Sequence, residues 1–327
     1  MLRILLFMFF GFIVTSCQST NGVTIGSNPQ NAEPTTIMKD TRPRGLGRID
    51  YGPWNQDMPA SGWSFNVTNV VEPRSGKLSQ RFELRNGDCT VVPPPGASHA
   101  ADWGCKFDRE RAEVQHTAWE PGKNMWIGFS VMVPNEWTPA RNKHCTSIFQ
   151  IKQTERDVYQ GDLTPKSGVY ATSQKQVDKY GGQYVGAHQV MSGQICGEKF
   201  GVTVKYSGYE DTKYNGWSRD ENVMYGSINS IRNEWNDVVL NWDTRGYRNG
   251  NSKLTIYFNG EPVGVWENMT GKFFPDFYTF KYGPYRGYMK ANNGPNFKIG
   301  TQVIYFDEVR TGRSFDAVNP ATNRALD

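Results

Sequence analysis

From Tyr51 to its end the chain is written in short runs that alternate apolar and polar residues, and this period of two limits its fold more than any other feature. Trp63-Ser64-Phe65-Asn66-Val67 carries the pattern, as do the stretches from Ser79 to Arg85, Trp126 to Val133 and Trp235 to Trp242, each bounded by turn residues. Lys253 to Phe258 and Pro262 to Trp266 are joined by Asn259-Gly260-Glu261, and Asn-Gly between apolar runs predicts a tight hairpin. A further strand is expected from Gln302 to Val309. No helical period intervenes, and 34 Gly, 18 Pro and 13% aromatic residues suit turns and strands rather than helix bundles. The expected fold class is all-β, a single large β-sandwich or jelly roll rather than an α/β fold. The segment from about Thr154 to Gly201 is polar and Gly-rich; it is expected to form an insertion or long loops over one face, where substrate contacts usually lie. No internal repeat is present.

The N-terminus carries a different signal. Met1-Leu2-Arg3, an apolar run from Ile4 to Val14 and then Thr15-Ser16-Cys17 follow the charged, hydrophobic and small-residue order of a secretory signal. The run is too short to cross a bilayer as a folded helix. Val14-Thr15-Ser16-Cys17 resembles a bacterial lipoprotein box, which implies a signal peptide over residues 1–16, lipidation at Cys17 and, because Gln18 rather than Asp follows, sorting to the outer membrane, facing the periplasm or the cell surface. Residues 17–45 are rich in Ser, Thr, Asn, Gln, Gly and Pro and read as a flexible tether, leaving 46–327 as the folded domain. An oxidising compartment and an even number of remaining cysteines predict two disulfides from three pairings. Cys89 with Cys105 and Cys145 with Cys196 is the expected set, with free buried thiols the alternative; no Cys-x-x-Cys spacing supports zinc.

Charge narrows the partners. With 36 Lys+Arg against 32 Asp+Glu the net charge is +4, and no clustered basic stripe argues for nucleic acid. The membrane is expected to be met only through the lipid, and the domain is expected to be a monomer. The sequence calls for no cofactor; a structural calcium is compatible with it, but no oxygen-ligand loop demands one, since Glu210-Asp211 and Asp307-Glu308 are merely adjacent pairs.

Three strands gather polar side chains by parity. Alternation in Arg109 to Gln115 puts Arg109, Arg111, Glu113 and Gln115 on one face, with Ala112 and Val114 on the other. Gln150 and Lys152 share a face opposite Phe149 and Ile151. Lys281 and Tyr285 share a face across Tyr282-Gly283-Pro284, where Pro284 marks a bulge or strand end.

These three blocks resemble the Arg-x-Glu, Gln-x-His and Tyr-x-Lys-x-Gly-x-Tyr motifs of the jelly-roll polysaccharide lyases, the group of alginate lyases, glucuronan lyase and heparin lyase I. The similarity runs from about Gly76 to Gly312 and is greatest to the glucuronan and heparin lyase I type, through Phe280 to Arg286. It implies a concanavalin-like sandwich whose long loops border a concave groove, and an acidic, uronate-containing polysaccharide as substrate. It also implies Tyr285 as the catalytic tyrosine, Gln150 as the neutraliser of the substrate carboxylate and Arg111 as the positioning arginine. Lys281, Arg286, Lys152, Glu113 and Arg109 are the expected substrate contacts, with Glu113 orienting Arg111.

The chemistry asks for such groups independently. A lyase removes the weakly acidic proton α to a carboxylate and expels the glycosidic oxygen at the β position, so it must neutralise the carboxylate and stabilise the enolate. A guanidinium fork and a neutral amide suit that task, and one tyrosine can serve as base and then as acid, with Lys281 or Arg286 favouring the phenolate. Two departures stand out. Thr279 replaces the first Tyr of the third motif, and Lys152 stands where the family carries His, leaving His116, His144 or His188 as substitutes, or Tyr285 acting alone. Arg81-Phe82-Glu83 also fits Arg-x-Glu, although its place before the Cys89 loop suits an opening strand. Two other functions compete: a non-catalytic carbohydrate-binding surface lipoprotein on the same fold, for which abundant Trp and Tyr are suited, and a glycoside hydrolase. The hydrolase needs two carboxylic acids flanking the bond, and no strand shows the Glu-x-Asp-x-x-Glu spacing of jelly-roll glucanases.

Overall fold

The computed structural model describes residues 63–88, 109–115, 119–140, 144–154, 189–206, 219–246, 251–269, 277–289 and 298–326. All of them lie in one unit, Pro34–Asp327. The expected signal peptide, Cys17, the tether, Cys89, Cys105, His116 and His188 fall outside the described residues.

Alternation becomes strands throughout. The described residues form β1 (Phe65–Thr68), β2 (Ser79–Leu84), β3 (Arg109–Arg111), β4 (Val114–Gln115), β5 (Asn124–Met132), β6 (Cys145–Thr154) and β7 (Gln189–Cys196). They continue with β8 (Lys199–Tyr206), β9 (Arg219–Ser227), β10 (Asn236–Gly246), β11 (Asn251–Phe258), β12 (Glu261–Glu267), β13 (Phe277–Gly287), β14 (Gln302–Gly312) and one short helix, α1 (Phe315–Val318). Two seven-stranded sheets result. The first runs β1-β2-β14-β5-β10-β11-β12; the second runs β3-β13-β6-β7-β8-β9, with β4 also pairing β13. Every strand pair is antiparallel. The Asn259-Gly260 hairpin joins β11 to β12, with both residues in the left-handed region at φ 50° and 86°, as a two-residue turn matching strand twist requires.

One aromatic core welds the sheets. Phe82, Phe129 and Phe306 come from the first sheet, Phe149, Phe280 and Tyr282 from the second, and the ring centroids that meet across the interface lie 4.9–5.5 Å apart. The rings meet mostly edge-on or tilted, the arrangement aromatic quadrupoles favour. Because side chains alternate, the residues between these rings point away from the core, and in the second sheet they form a polar face.

The expectation of loops from Thr154 to Gly201 is corrected for its last part. Residues 189–196 and 199–206 are adjacent antiparallel strands, β7 and β8, closed by a turn at Gly197-Glu198 with Gly197 at φ 59°. In β7 the residues facing outward are Ser192 and Gln194, and Gly193 interrupts the apolar side, so the strand lacks the apolar alternation that would have revealed it. A disulfide joins Cys145 and Cys196, which are register partners at the ends of β6 and β7.

Candidate active site

The polar face of the second sheet is built by register. Tyr285 on β13 lies between Arg111 on β3 and Ser147 on β6, while Lys281, further along β13, lies between Gln115 on β4 and Gln150 on β6. Two bulges set this alignment. From Tyr282 to Tyr285 β13 advances three residues while β6 advances two, from Phe149 to Ser147, and β7 only one, from Gly193 to Gln194. The bulge in β13 is shaped by Gly283 at φ 111°, where a Cβ would meet the Ala112 carbonyl oxygen at 2.2 Å, so only glycine fits. The added residues keep Phe149 and Tyr282 in the core and return Ser147 and Tyr285 to the outward polar face.

Two guanidiniums surround the Tyr285 phenol. Arg109 Nη1 donates a hydrogen bond to Tyr285 Oη, and the Arg111 guanidinium lies over the ring with its Cζ 4.6 Å from the centroid. A cation donating to Oη stabilises negative charge on that oxygen, and Arg111 adds a cation–π contact that holds the ring. Arg109 is thus a direct partner of Tyr285, a role sequence parity alone had left as a general substrate contact.

Beside them lies a buried amide–carboxylate pair. Gln150 Nε2 donates to Glu113 Oε1, and both side chains are almost fully buried. An ionised carboxylate accepts but cannot donate, so Glu113 selects the NH2 end of Gln150 and fixes the amide plane. The second N–H of that nitrogen has no partner among the described residues. Glu113 therefore orients Gln150, in addition to any influence on Arg111. Lys281, 5% exposed, stands next to Gln150 across the β13–β6 ladder, and half-buried Lys152 occupies the same face two residues further on. Four cations, Arg109, Arg111, Lys152 and Lys281, thus share a face with one carboxylate, an arrangement suited to an anionic ligand.

Arg286 requires a correction. It is 0% exposed and faces the interior, where Nε and Nη2 contact Glu110 Oε2 at 2.7 and 2.6 Å and Nη1 donates to the Gly300 carbonyl at 2.9 Å. Burial pulls its pKa below the usual arginine value against the opposing pull of Glu110. It is an internal strut, with no access to a substrate, and cannot be the cation that favours the phenolate. The second Arg-x-Glu match is structural also: Arg81 and Glu83 pair at 2.6 Å on β2 in the other sheet. His144 stacks on Tyr288 with centroids 5.0 Å apart, beyond the Cys145–Cys196 end of the strands, six residues along the chain from Gln150. Thr279 is buried at the position where the resembled motif has its first Tyr. Among the described residues no group of three or more His, Cys, Asp or Glu side chains could hold a metal ion.

Parity could not reveal the hydroxyl and amide groups that continue the row. Ser192 Oγ donates to Ser147 Oγ at 2.8 Å, and Thr203 Oγ1 donates to Gln194 Oε1 at 2.9 Å. Their only sequence signal is polar residues at alternate positions of β7 and β8.

Comparison with solved structures places this architecture among known ones. An endo-β-1,4-glucuronan lyase from the fungus Trichoderma reesei superposes with a TM-score of 0.50 at 16% identity, over 82% of this chain and 98% of that one. The alginate lyase A1-II′, a member of polysaccharide lyase family 7, gives 0.45 at 12% identity over 78% and 85%; alginate lyase AlyC3 gives 0.43 at 12% over 77% and 79%. The glucuronan lyase likeness shows the shared β-sandwich fold. No curated protein sequence gives a significant match. Residues 49–310 match the family model described as polysaccharide lyase; since that span covers most of its length, the chain belongs to the polysaccharide lyase family and is a lyase.

Proposed function

We propose that the protein cleaves a uronate-containing polysaccharide by β-elimination at the face bearing Tyr285. The observation that carries this reading is the placement of the Tyr285 hydroxyl against Arg109, with Arg111 over the ring and the Gln150–Glu113 pair and Lys281 on the same face. The uronate carboxylate is met by Arg111, the free N–H of Gln150 and Lys281, which withdraw electron density and make the α proton removable. Tyr285 as phenolate takes that proton, the electron pair forms the C=C bond, and the C–O bond to the leaving sugar breaks. The tyrosine proton then passes to the departing oxygen, leaving the phenolate for the next turn. Arg109 stabilises the oxygen that alternates between these states. The name of the similar structure, an endo-β-1,4-glucuronan lyase, supports a uronate polymer.

The test is ultraviolet absorbance of the unsaturated uronate formed at each cut, with alginate, glucuronan, heparin and hyaluronan as substrates. Rising absorbance with at least one polymer, abolished in Tyr285→Phe while binding persists, is expected. Binding without absorbance in the wild-type protein refutes catalysis and leaves a carbohydrate-binding protein. We further propose lipidation at Cys17 and attachment to the outer membrane, supported by Val14-Thr15-Ser16-Cys17 and by Gln18. Loss of fatty-acid labelling in Cys17→Ala is the expected result; labelling that survives overturns it.

A further inference from the structure

We infer that Gln194 is a donor-only subsite for the carboxylate of a second uronate, lying along the polymer from the one that loses its proton; the inference rests on the uronate-lyase reading above. Register aligns Arg111, Tyr285, Ser147, Gln194 and Gly201 in one row across β3, β13, β6, β7 and β8. Neighbouring strands stand about 4.8 Å apart, so Gln194 lies roughly 10 Å from Tyr285 across the sheet. A polymer crossing the strands at Tyr285 therefore passes over it.

In the structure the amide oxygen is already engaged. Its Oε1 accepts from Thr203 Oγ1 at 2.9 Å and lies 3.7 Å from Cys196 Sγ of the disulfide, while Nε2 makes no hydrogen bond among the described residues. With the oxygen engaged, the half-buried side chain presents only N–H donors. On its β8 side the register partner is Gly201, which brings no side chain to compete for those donors. A group that offers donors and no acceptor selects an oxygen with free lone pairs. Along a uronate polymer the group that repeats and carries the most negative oxygen is the carboxylate, and a donor to a charged group binds more strongly than one to a neutral group.

Two replacements separate this role from folding. Gln194→Met keeps the volume and removes the donors; Gln194→Glu keeps an acceptor for Thr203 but turns an anion toward the ligand. On long oligosaccharides of the polymer that the wild type cleaves, KM should rise about ten-fold in Gln194→Met and further in Gln194→Glu, with kcat within about two-fold. On the shortest cleavable oligosaccharide, which ends before this row, the KM differences should vanish. Melting temperatures are compared to confirm that the variants fold, and oligosaccharide affinity in a Tyr285→Phe background provides a readout independent of turnover. Wild-type KM for both variants at every length overturns the subsite while leaving the lyase reading intact. Absence of binding and cleavage by the wild type on every uronate polymer overturns the reading beneath it as well.

Discussion

Replacing Arg286 with Met distinguishes an internal strut from a substrate contact. The guanidinium is fully buried, donates from Nε to one oxygen of Glu110 with Nη2 in ion-pair contact at 2.6 Å from the same oxygen, and gives Nη1 to the Gly300 carbonyl. Glu110 is also buried, and its other oxygen accepts from the Gly87 N–H at 2.6 Å. Removing the arginine leaves a buried carboxylate with that single neutral donor, and breaking such a pair costs about 3–5 kcal/mol. Glu110→Leu alone leaves the guanidinium unpaired at a similar cost. The double replacement removes both charges, so it should fall short of the summed losses by at least about 2 kcal/mol, the coupling expected of contacting residues. Urea denaturation followed by tryptophan fluorescence measures the cycle, and KM on the cleaved polymer is taken for each variant under conditions where it remains folded. The expected outcome is a lower urea midpoint for Arg286→Met with KM within two-fold of wild type. A wild-type midpoint with a raised KM would place Arg286 in the groove and refute the reasoning.

Other consequences can be checked independently. The Cys145–Cys196 bond closes a span of 51 residues, for which the chain-entropy model gives a ceiling of about 4 kcal/mol; a Cys145→Ala/Cys196→Ala variant should melt several degrees lower, and an unchanged melting temperature would remove the bond from the stability balance. Asp307 is buried in the first sheet and its pKa is pushed up to about 7, by burial first, against donors from the backbone of Glu308, Ser75 and Arg74. Its folded value exceeds its unfolded one, so its stabilising contribution is complete below about pH 4 and is lost as pH rises through 7. Asp307→Asn should therefore gain on wild type across that window, by up to about 4 kcal/mol at pH 8 since each pKa unit is about 1.4 kcal/mol; parallel stability curves from pH 4 to 8 would contradict this.

The fold was legible where one face of a strand is apolar. Period two marks the strands that bury Phe82, Phe129 and Phe306, and Asn259-Gly260 marks its hairpin because φ above zero is required at both positions. It was not legible in β7, whose outward side is Ser192 and Gln194. The site was legible by parity for Arg111, Gln150 and Lys281, since alternation alone sorts side chains to a face. Partners were not. Glu110 and Arg286 are 176 residues apart, Arg109 and Tyr285 also 176, and Gln150 and Glu113 37. Which strand lies beside which is decided by packing of the whole sandwich, so no local pattern identifies those pairs. Alternation does place Arg286 opposite Tyr285, but without its distant carboxylate an inward arginine had no visible compensation, and the groove was the natural assignment.

The same tension explains why the polar face of the second sheet carries so many buried polar groups. Gln150 at 3% and Lys281 at 5% exposure would each be costly if unpaired. On a surface strand such groups would be solvated and mobile. Here β13 lies between β3 and β6, and its bulge brings Tyr285 under Arg111 while Glu113 holds Gln150. The amide is thus oriented by a protein partner, and the aromatic core packs on the reverse of the same strands. Preorganisation of this kind shifts the cost of aligning donors from the reaction to folding, so substitutions in Phe149 or Tyr282, which never touch a substrate, should be felt at Gln150 and Tyr285 through the strands they share.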